Sequence, residues 1–576
     1  MTYSVDPNAK NVWIRDNADT MDLSVQTEAN AVYLENGRTL EQEVGKGTMV
    51  SNVVTVDGSM EKVVEGTYDG VYESCKMYGR SLVNILTGEV ESNLSQKYID
   101  FPIVGVKANT TYMAIFNLET NAEFPKCGIL LNKNTWNATS KPCNNKYNKI
   151  LLTTTSDETV GLRIWYDDGA TDRILEPTNV MLIEYQEGME NWDIPYFEGI
   201  CDVKMPILKN IGKNLAKVHI NKTSESIEDG YVKVIENGTV TQDIDYTDST
   251  ELIPIKPNTY YTCSWQLVSG SISTEKPVNA CFAFCDKNKE VVKWTDGANK
   301  LSPENAYYIK RVRLHWGNSE ATLKDFKFTM MLEESKTVTE FEPYKTSILT
   351  TPEEVILRKV GDVCDSYDAL TGEYVQRIAE QTINGSENWG KMDEDTAIQN
   401  DTCLFTCYGA LSNVPRDTKY LSDKYNIITG YQELLNTDKE MVHLYLDRAL
   451  YFRISKSKLA TVNIEGFKQW LAQNPFTIQY QLETPTTTII EPSTIPFVYE
   501  NGHVILESGY EGQSLLPTLE YSTVINRTGQ IQSIANTVQK QEKQITKLEK
   551  MLIQNIVNLD YNNTLLTLNL EINEVI

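Results

Sequence analysis

The chain has 576 residues, of which 41% are hydrophobic and 23% charged, with a formal net charge of -26. That length accommodates about three to five domains, and the apolar content suffices for ordinary packed cores. The acidic balance excludes nucleic acid and anionic membrane as natural partners, since both require a positive footprint.

Met1-Thr2-Tyr3-Ser4-Val5-Asp6 has no basic stretch followed by an apolar run, so no signal peptide is expected. No run of about 20 apolar residues occurs, so no membrane insertion is expected. The ten Cys are scattered, without a CxxC or a zinc-type Cys/His spacing. Cys281 and Cys285, if on one strand face, would lie roughly 13 Å apart, too far for a disulfide. Cys403 and Cys407 share that spacing. The cysteines read as small buried apolar residues of a chain made in a reducing cytoplasm.

Residues 1–66 form a small polar head. Ala31-Val32-Tyr33-Leu34-Glu35-Asn36-Gly37 predicts a strand entering a tight turn, and Thr39-Leu40-Glu41-Gln42 a capping box opening a short helix. The head is a locally folded segment or a docking element.

Residues 67–200 and 201–345 say nearly the same thing twice. Val106-Lys107-Ala108-Asn109-Thr110-Thr111-Tyr112 returns as Ile255-Lys256-Pro257-Asn258-Thr259-Tyr260-Tyr261. Arg163-Ile164-Trp165-Tyr166 returns as Arg313-Leu314-His315-Trp316, Met181-Leu182 as Met331-Leu332, and Pro195-Tyr196 as Pro343-Tyr344. The offsets of 148 to 150 keep one register, and the unit has the size of a domain. Runs such as Tyr260–Trp265 and Tyr308–Leu314 alternate apolar and polar residues between turns, which predicts β-sandwich or jelly-roll modules. Glu236-Asn237-Gly238 predicts a hairpin.

Residues 346–523 predict a third β-rich domain with one helix, carried by Ile464-Glu465-Gly466-Phe467-Lys468-Gln469-Trp470-Leu471. Phe476–Leu482 follows as a strand, and Tyr499-Glu500-Asn501-Gly502-His503-Val504 as another hairpin. From about 524 to 560 the period changes to seven. Ile531, Val538, Ile545, Leu552 and Leu559 share one heptad position, and Ile534, Gln541, Leu548 and Asn555 the other. This predicts a coiled coil in which Gln541 and Asn555 set register and oligomer state. A trimer is the favoured assembly; a dimer or a single amphipathic helix on a globular core are the alternatives. Residues 561–576 form a tail.

Several segments together resemble tail and baseplate proteins of phages that infect Gram-positive bacteria, described as minor structural or receptor-binding proteins. They are Glu65–Ser74 with Gly79–Asn84, Gly212-Lys213-Asn214-Leu215, Phe284–Glu290 and Pro303–Ile309. Downstream come Asp368–Glu373, Asn384–Trp389 and Asn474–Leu482. The resemblance covers about residues 30–525. It implies carbohydrate-binding-like modules and a place in the virion. It identifies no ligand, since such modules bind varied glycans or act as spacers.

The sequence offers little enzyme chemistry. It has no Gly-rich phosphate loop, no HExxH and no GxSxG, and its four His are spread over the chain. Asp167-Asp168-Gly169 reads as a turn rather than a glycosidase pair. The acidic turn Asp286-Lys287-Asn288 lacks EF-hand spacing, and no cofactor or metal is expected. Glycan binding is the sharper reading, because sugar rings stack on exposed aromatics while carboxylates, amides and Arg take the hydroxyls. The candidates are Trp136, Arg163, Trp165, Tyr166 and Asp167 in the first copy, and Trp294, Arg313 and Trp316 in the second. The competing reading places these aromatics in cores and the recurring Arg163 and Arg313 in structural ion pairs.

The expectation is a mainly β, elongated homotrimer. Tandem sandwich modules stand between an N-terminal segment docking to other baseplate or tail proteins and a C-terminal coiled coil. Its expected function is non-enzymatic attachment to a bacterial cell-surface polysaccharide. A purely structural baseplate or collar protein and a polysaccharide depolymerase are the alternatives.

Overall fold

In the computed structural model the protein is mainly β, with 54% strand and 6% helix. Described residues run, with short interruptions, from 54 to 523. Outside that span they comprise the backbone of four strands between residues 2 and 33 and helical positions between 542 and 553. The chain divides into two compact units, one of 1–52, 64–73 and 522–576, the other of 53–63 and 74–521.

In the first unit, Thr2–Val5, Asn11–Arg15, Asp22–Gln26 and Val32–Tyr33 form an antiparallel meander. The expected turn at Asn36-Gly37 and the capping box at Thr39–Gln42 lie outside the described residues. Ile545 and Leu552 have helical backbone and are 55% and 61% exposed. The other heptad positions, Ile531, Ile534, Val538, Gln541, Leu548, Asn555 and Leu559, lie outside the described residues.

The second unit holds both repeat copies as sandwiches. In the first, one sheet runs Glu91–Asn93, Tyr98–Pro102, Gly161–Tyr166, Pro125–Asn132, Thr135–Trp136. The other runs Lys146–Thr153, Thr111–Thr120, Leu175–Glu184. Alternate residues of both sheets, among them Phe101, Leu162, Ile164, Phe116 and Leu182, meet in one core. The second copy repeats the scheme. Tyr260–Thr274 pairs with Ala321–Glu334, and Asn279–Cys285 lies between Val291–Asp296 and Tyr308–His315.

The shared motif has one local logic in both copies. Asn109 and Asn258 take left-handed backbone, with φ of 52° and 53°, which asparagine tolerates better than most residues. The Tyr112 and Tyr261 hydroxyls each accept the N–H of Lys107 or Lys256 at 2.9 Å. The Thr154 and Ser302 hydroxyls donate to the carbonyls of those same lysines. A buried asparagine fastens each module's opening segment. Asn84 Oδ1 accepts from Leu86 and Leu182, and Asn214 Oδ1 from Ala216 and Leu332.

Strands flanking the sandwiches pair with one another. Ile200–Lys204 lies between Ser81–Val83 and Ile356–Leu357, and Pro206–Ile211 between Thr346–Thr350 and His503–Ser508. Each sandwich therefore sits between segments of a discontinuous third lobe. In that lobe the helix Ile464–Gln473 starts at Asn463, whose side chain accepts the Gly466 N–H at 2.8 Å. It buries Phe467 and Leu471 against the sheet of Thr402–Tyr408 and Ala449–Ser455.

The Asn237-Gly238 hairpin expected from sequence does not form. Tyr231–Val234 and Gly238–Val240 lie end to end along Ala321–Glu334, with Val232 opposite Phe328 and Thr239 opposite Thr322. Asn237 instead exchanges hydrogen bonds with Asp325, which sits at φ 47°. A side-chain-stabilised irregularity in the partner strand thus takes the place of a chain reversal. The hairpin expected at Tyr499–Val504 does not form either: Gly502 donates to the Tyr499 carbonyl at 3.1 Å, with Asn501 at φ 52°, but the strand beyond this turn, His503–Ser508, pairs with Pro206–Ile211 and Met60–Lys62. All ten cysteines are free thiols and all but Cys364 are buried. Burial pushes the Cys201 thiol up to about 12, so it behaves as an apolar residue.

Candidate functional site

The strand Gly161–Tyr166 alternates, and the alternation sorts the candidates. Leu162, Ile164 and Tyr166 point into the core, while Arg163 and Trp165 lie on the opposite, outer face. Tyr166 is only 4% exposed, and its counterpart Trp316 only 1%. Trp316 is further held by Nε1 donating to the Ser319 carbonyl at 2.9 Å. Both rings fill cores, so neither offers a stacking surface. Asp167 is exposed just past the strand end, and Asp168 and Gly169 lie outside the described residues.

The outer face of the first module gathers the remaining candidates. Trp165 stands opposite Tyr98 and Lys126, and Arg163 opposite Asp100 and Gly128. Trp136 stacks on Trp165 with ring centroids 4.4 Å apart and planes 23° from parallel. A Cβ at Gly128 would come within 2.9 Å of the Trp136 ring, so glycine lets the indole lie close to the strand. Trp136 remains 38% exposed. Arg163 makes a bidentate pair with Asp100, at 2.7 Å for each arm, and its guanidinium lies 3.6 Å over the Tyr98 ring. The hydrogen bond that Arg163 donates to Asp100 leads the effects that raise the Arg163 pKa. The arrangement is a rigid aromatic shelf beside a self-neutralised ion pair.

The second module builds a related face. Arg313 pairs with Asp243 at 2.5 Å, and His315 Nδ1 lies 2.8 Å from the same carboxylate. Trp294 stands opposite Ala283, as Trp136 stands opposite Leu130 on the equivalent strand. The two tryptophans therefore occupy one position of the repeat, although their sequence offset differs from that of the other matches. Trp294 is 46% exposed. The Arg313 guanidinium lies 4.6 Å from its ring centre and that of Arg311 6.0 Å. Arg311 also approaches Asp245 at 3.7 Å, and burial is the leading effect raising the Asp245 pKa.

Sequence reasoning missed Tyr98, Asp100, Asp243, Arg311 and His315. The signal was present for the first two: Tyr98-Ile99-Asp100 alternates as Arg163-Ile164-Trp165 does, and a half-buried arginine demands a carboxylate. The acidic turn at Asp286 uses its carboxylate internally, accepting the N–H of Asn288 and Glu290 at 2.9 and 3.0 Å. Among the described residues no group of three or more His, Cys, Asp or Glu could hold a metal ion. Nor is any described helix long and apolar enough to cross a membrane.

No known protein family, curated protein or solved structure matches the chain.

Proposed function

We propose that the chain is a non-enzymatic tail or baseplate fibre protein of a phage, and that it attaches the particle to its host by binding a cell-surface polysaccharide. The observation that carries this reading is the Trp136/Trp165 shelf. It is large, half exposed, rigidly backed and flanked by polar groups that are already charge-balanced. Such a surface suits the apolar face and hydroxyl rim of a neutral sugar ring. The N-terminal segment, 1–66, would dock to other virion proteins, and residues 524–560 would join three chains as a coiled coil. The exposure of Ile545 and Leu552 on helical backbone supports that last element. Three copies of a weak site gain affinity through effective concentration.

One observation favours a bracing role for the second module. The Arg313 guanidinium stacks on Trp294 and leaves less of that ring for a sugar.

The test is retention of purified host-wall polysaccharide by wild type, a Trp136→Ala/Trp165→Ala double variant and Trp294→Ala. Loss of two stacking rings, at about 0.5–1.5 kcal/mol each beyond area burial, corresponds to roughly 5- to 150-fold weaker binding. Equal retention by the double variant would refute the assigned face. Absence of retention by wild type would refute attachment through glycan, and shortening of the polymer would point to a depolymerase. Light scattering during gel filtration tests the trimer: the full chain should have three times the chain mass and a 1–523 truncation should be monomeric.

A further inference from the structure

The two modules differ at one sheet edge. In the first, Thr111–Thr120 lies between Lys146–Thr153 and Leu175–Glu184, with the former in register from Thr111–Thr153 to Leu118–Lys146. Of its ten residues only Thr111, Asn117 and Glu119 are not buried. In the second, Tyr260–Thr274 has Ala321–Glu334 on one side, but on the other only Lys300–Leu301, opposite Tyr261 and Tyr260. The Cys263 N–H still reaches the Gly297 carbonyl at 3.2 Å. From Ser264 onward, no described strand occupies that side. The preceding stretch of chain pairs elsewhere, as Val291–Asp296 on the opposite sheet.

The exposed backbone lacks the usual protection. Open edges are normally blunted by charge, proline or a covering segment. No charged residue or proline occurs from Cys263 to Thr274. Residues 266 to 271 are all exposed, with Leu267 at 49% and Val268 at 44%. Register shifts after Leu267 and around Ser269 and Ser271 confine the regular part of the edge to about Ser264–Leu267. That is enough for a short main-chain addition, a common mode of peptide recognition.

We propose that this edge accepts an extended strand from a different protein chain, added antiparallel in the place that Lys146–Thr153 holds in the first module. That internal strand indicates the chemistry of the donor. Lys146-Tyr147-Asn148-Lys149-Ile150-Leu151-Leu152-Thr153 carries two lysines and no acid, and turns Ile150 and Leu152 toward the core. A neutral or basic donor also suits a chain of net charge -26, whereas a second copy would bring that charge again.

The experiment is hydrogen exchange on the full chain, with and without a synthetic peptide of sequence Lys146–Thr153 at millimolar concentration. The expected result is at least tenfold slower exchange confined to about residues 264–268. The effect should vanish in Val268→Lys, which places a repelling charge on the edge, and persist in Val268→Thr. Circular dichroism checks that both variants fold. Unchanged exchange with peptide, or edge amides already protected in the free chain, would overturn the proposal. A wild-type dimer dissolved by Val268→Lys would assign the edge to a second copy and overturn it as well.

Discussion

Replacing Asn214 should unfasten the second sandwich, and the two obvious replacements should not cost the same. Asn214 is fully buried. Its Oδ1 accepts the N–H groups of Ala216 and Leu332 at 3.0 and 3.2 Å, and its Nδ2 donates to the carbonyls of Met330 and Glu342 at 3.1 Å each. Alanine leaves two donors and two acceptors without this partner. A buried unsatisfied group costs about 1–3 kcal/mol, the donors weighing more because a carbonyl keeps a second lone pair. Asn214→Ala should therefore cost roughly 2–5 kcal/mol. Aspartate keeps the shape but turns an oxygen toward two carbonyls and buries an unpaired charge, so Asn214→Asp should cost more at neutral pH. It should recover part of the loss on acidification, because a protonated carboxyl can donate again. Amide exchange at Leu332 and its neighbours reads the local opening free energy without assuming that so large a chain unfolds in one step. The expected order of protection at pH 7 is wild type, then alanine, then aspartate. Aspartate equal to or better than alanine, or either variant within about 0.5 kcal/mol of wild type, would refute the reasoning.

Two further outcomes test the third lobe. Asp365 is fully buried and accepts the N–H groups of Arg377, Ile378 and Arg358. Burial raises its pKa from 3.8 to about 6, against the opposing pull of those donors. Because the folded value lies above the unfolded one, its contribution is fully present below about 3.8 and is lost as pH rises through about 6. A displacement of two units corresponds to roughly 3 kcal/mol. The denaturation midpoint of Asp365→Asn should lack this pH 4–6 component that wild type shows, and parallel pH profiles would refute it. Phe467 is fully buried and stacks on Phe405 with centroids 4.0 Å apart, while Trp389 meets it edge-on at 5.0 Å. Phe467→Ala should cost about 3–5 kcal/mol, read from chemical denaturation of this lobe. A loss below about 1 kcal/mol would show that the aromatic cluster collapses around the gap.

Much of the local structure was legible because it depends on near neighbours. The motif from Lys107 to Tyr112 closes on itself through a left-handed asparagine and a tyrosine hydroxyl five residues from its donor, so it recurs wherever those residues recur. The helix at Ile464–Gln473 followed from apolar spacing, and the structure added its Asn463 cap. Alternation in Gly161–Tyr166 and Tyr308–His315 established that neighbouring residues face opposite ways. It did not establish which parity faces the core. The sequence therefore nominated Tyr166 and Trp316 alongside Trp165, although the first two are core residues.

Tertiary structure decided what depended on distant partners. Asp100 and Arg163 meet only because Tyr98–Pro102 pairs with Gly161–Tyr166. Asn237-Gly238 is a break rather than a reversal, because a bulged partner strand offers both flanking segments an edge. That no described strand flanks Tyr260–Thr274 on one side from Ser264 onward is likewise invisible in its own residues, since it results from where Val291–Asp296 goes. Alternation and turn chemistry act over a few residues and are encoded locally, whereas strand pairing joins residues as far apart as Leu130 and Gly161 or Pro206 and Ser508, about 30 to about 300 positions along this chain. The sequence alone thus determined the repeated modules, the local motif at Lys107–Tyr112 and Lys256–Tyr261, and the residue types present on each strand. Only long-range pairing decided which of them share a face and which strands lie side by side.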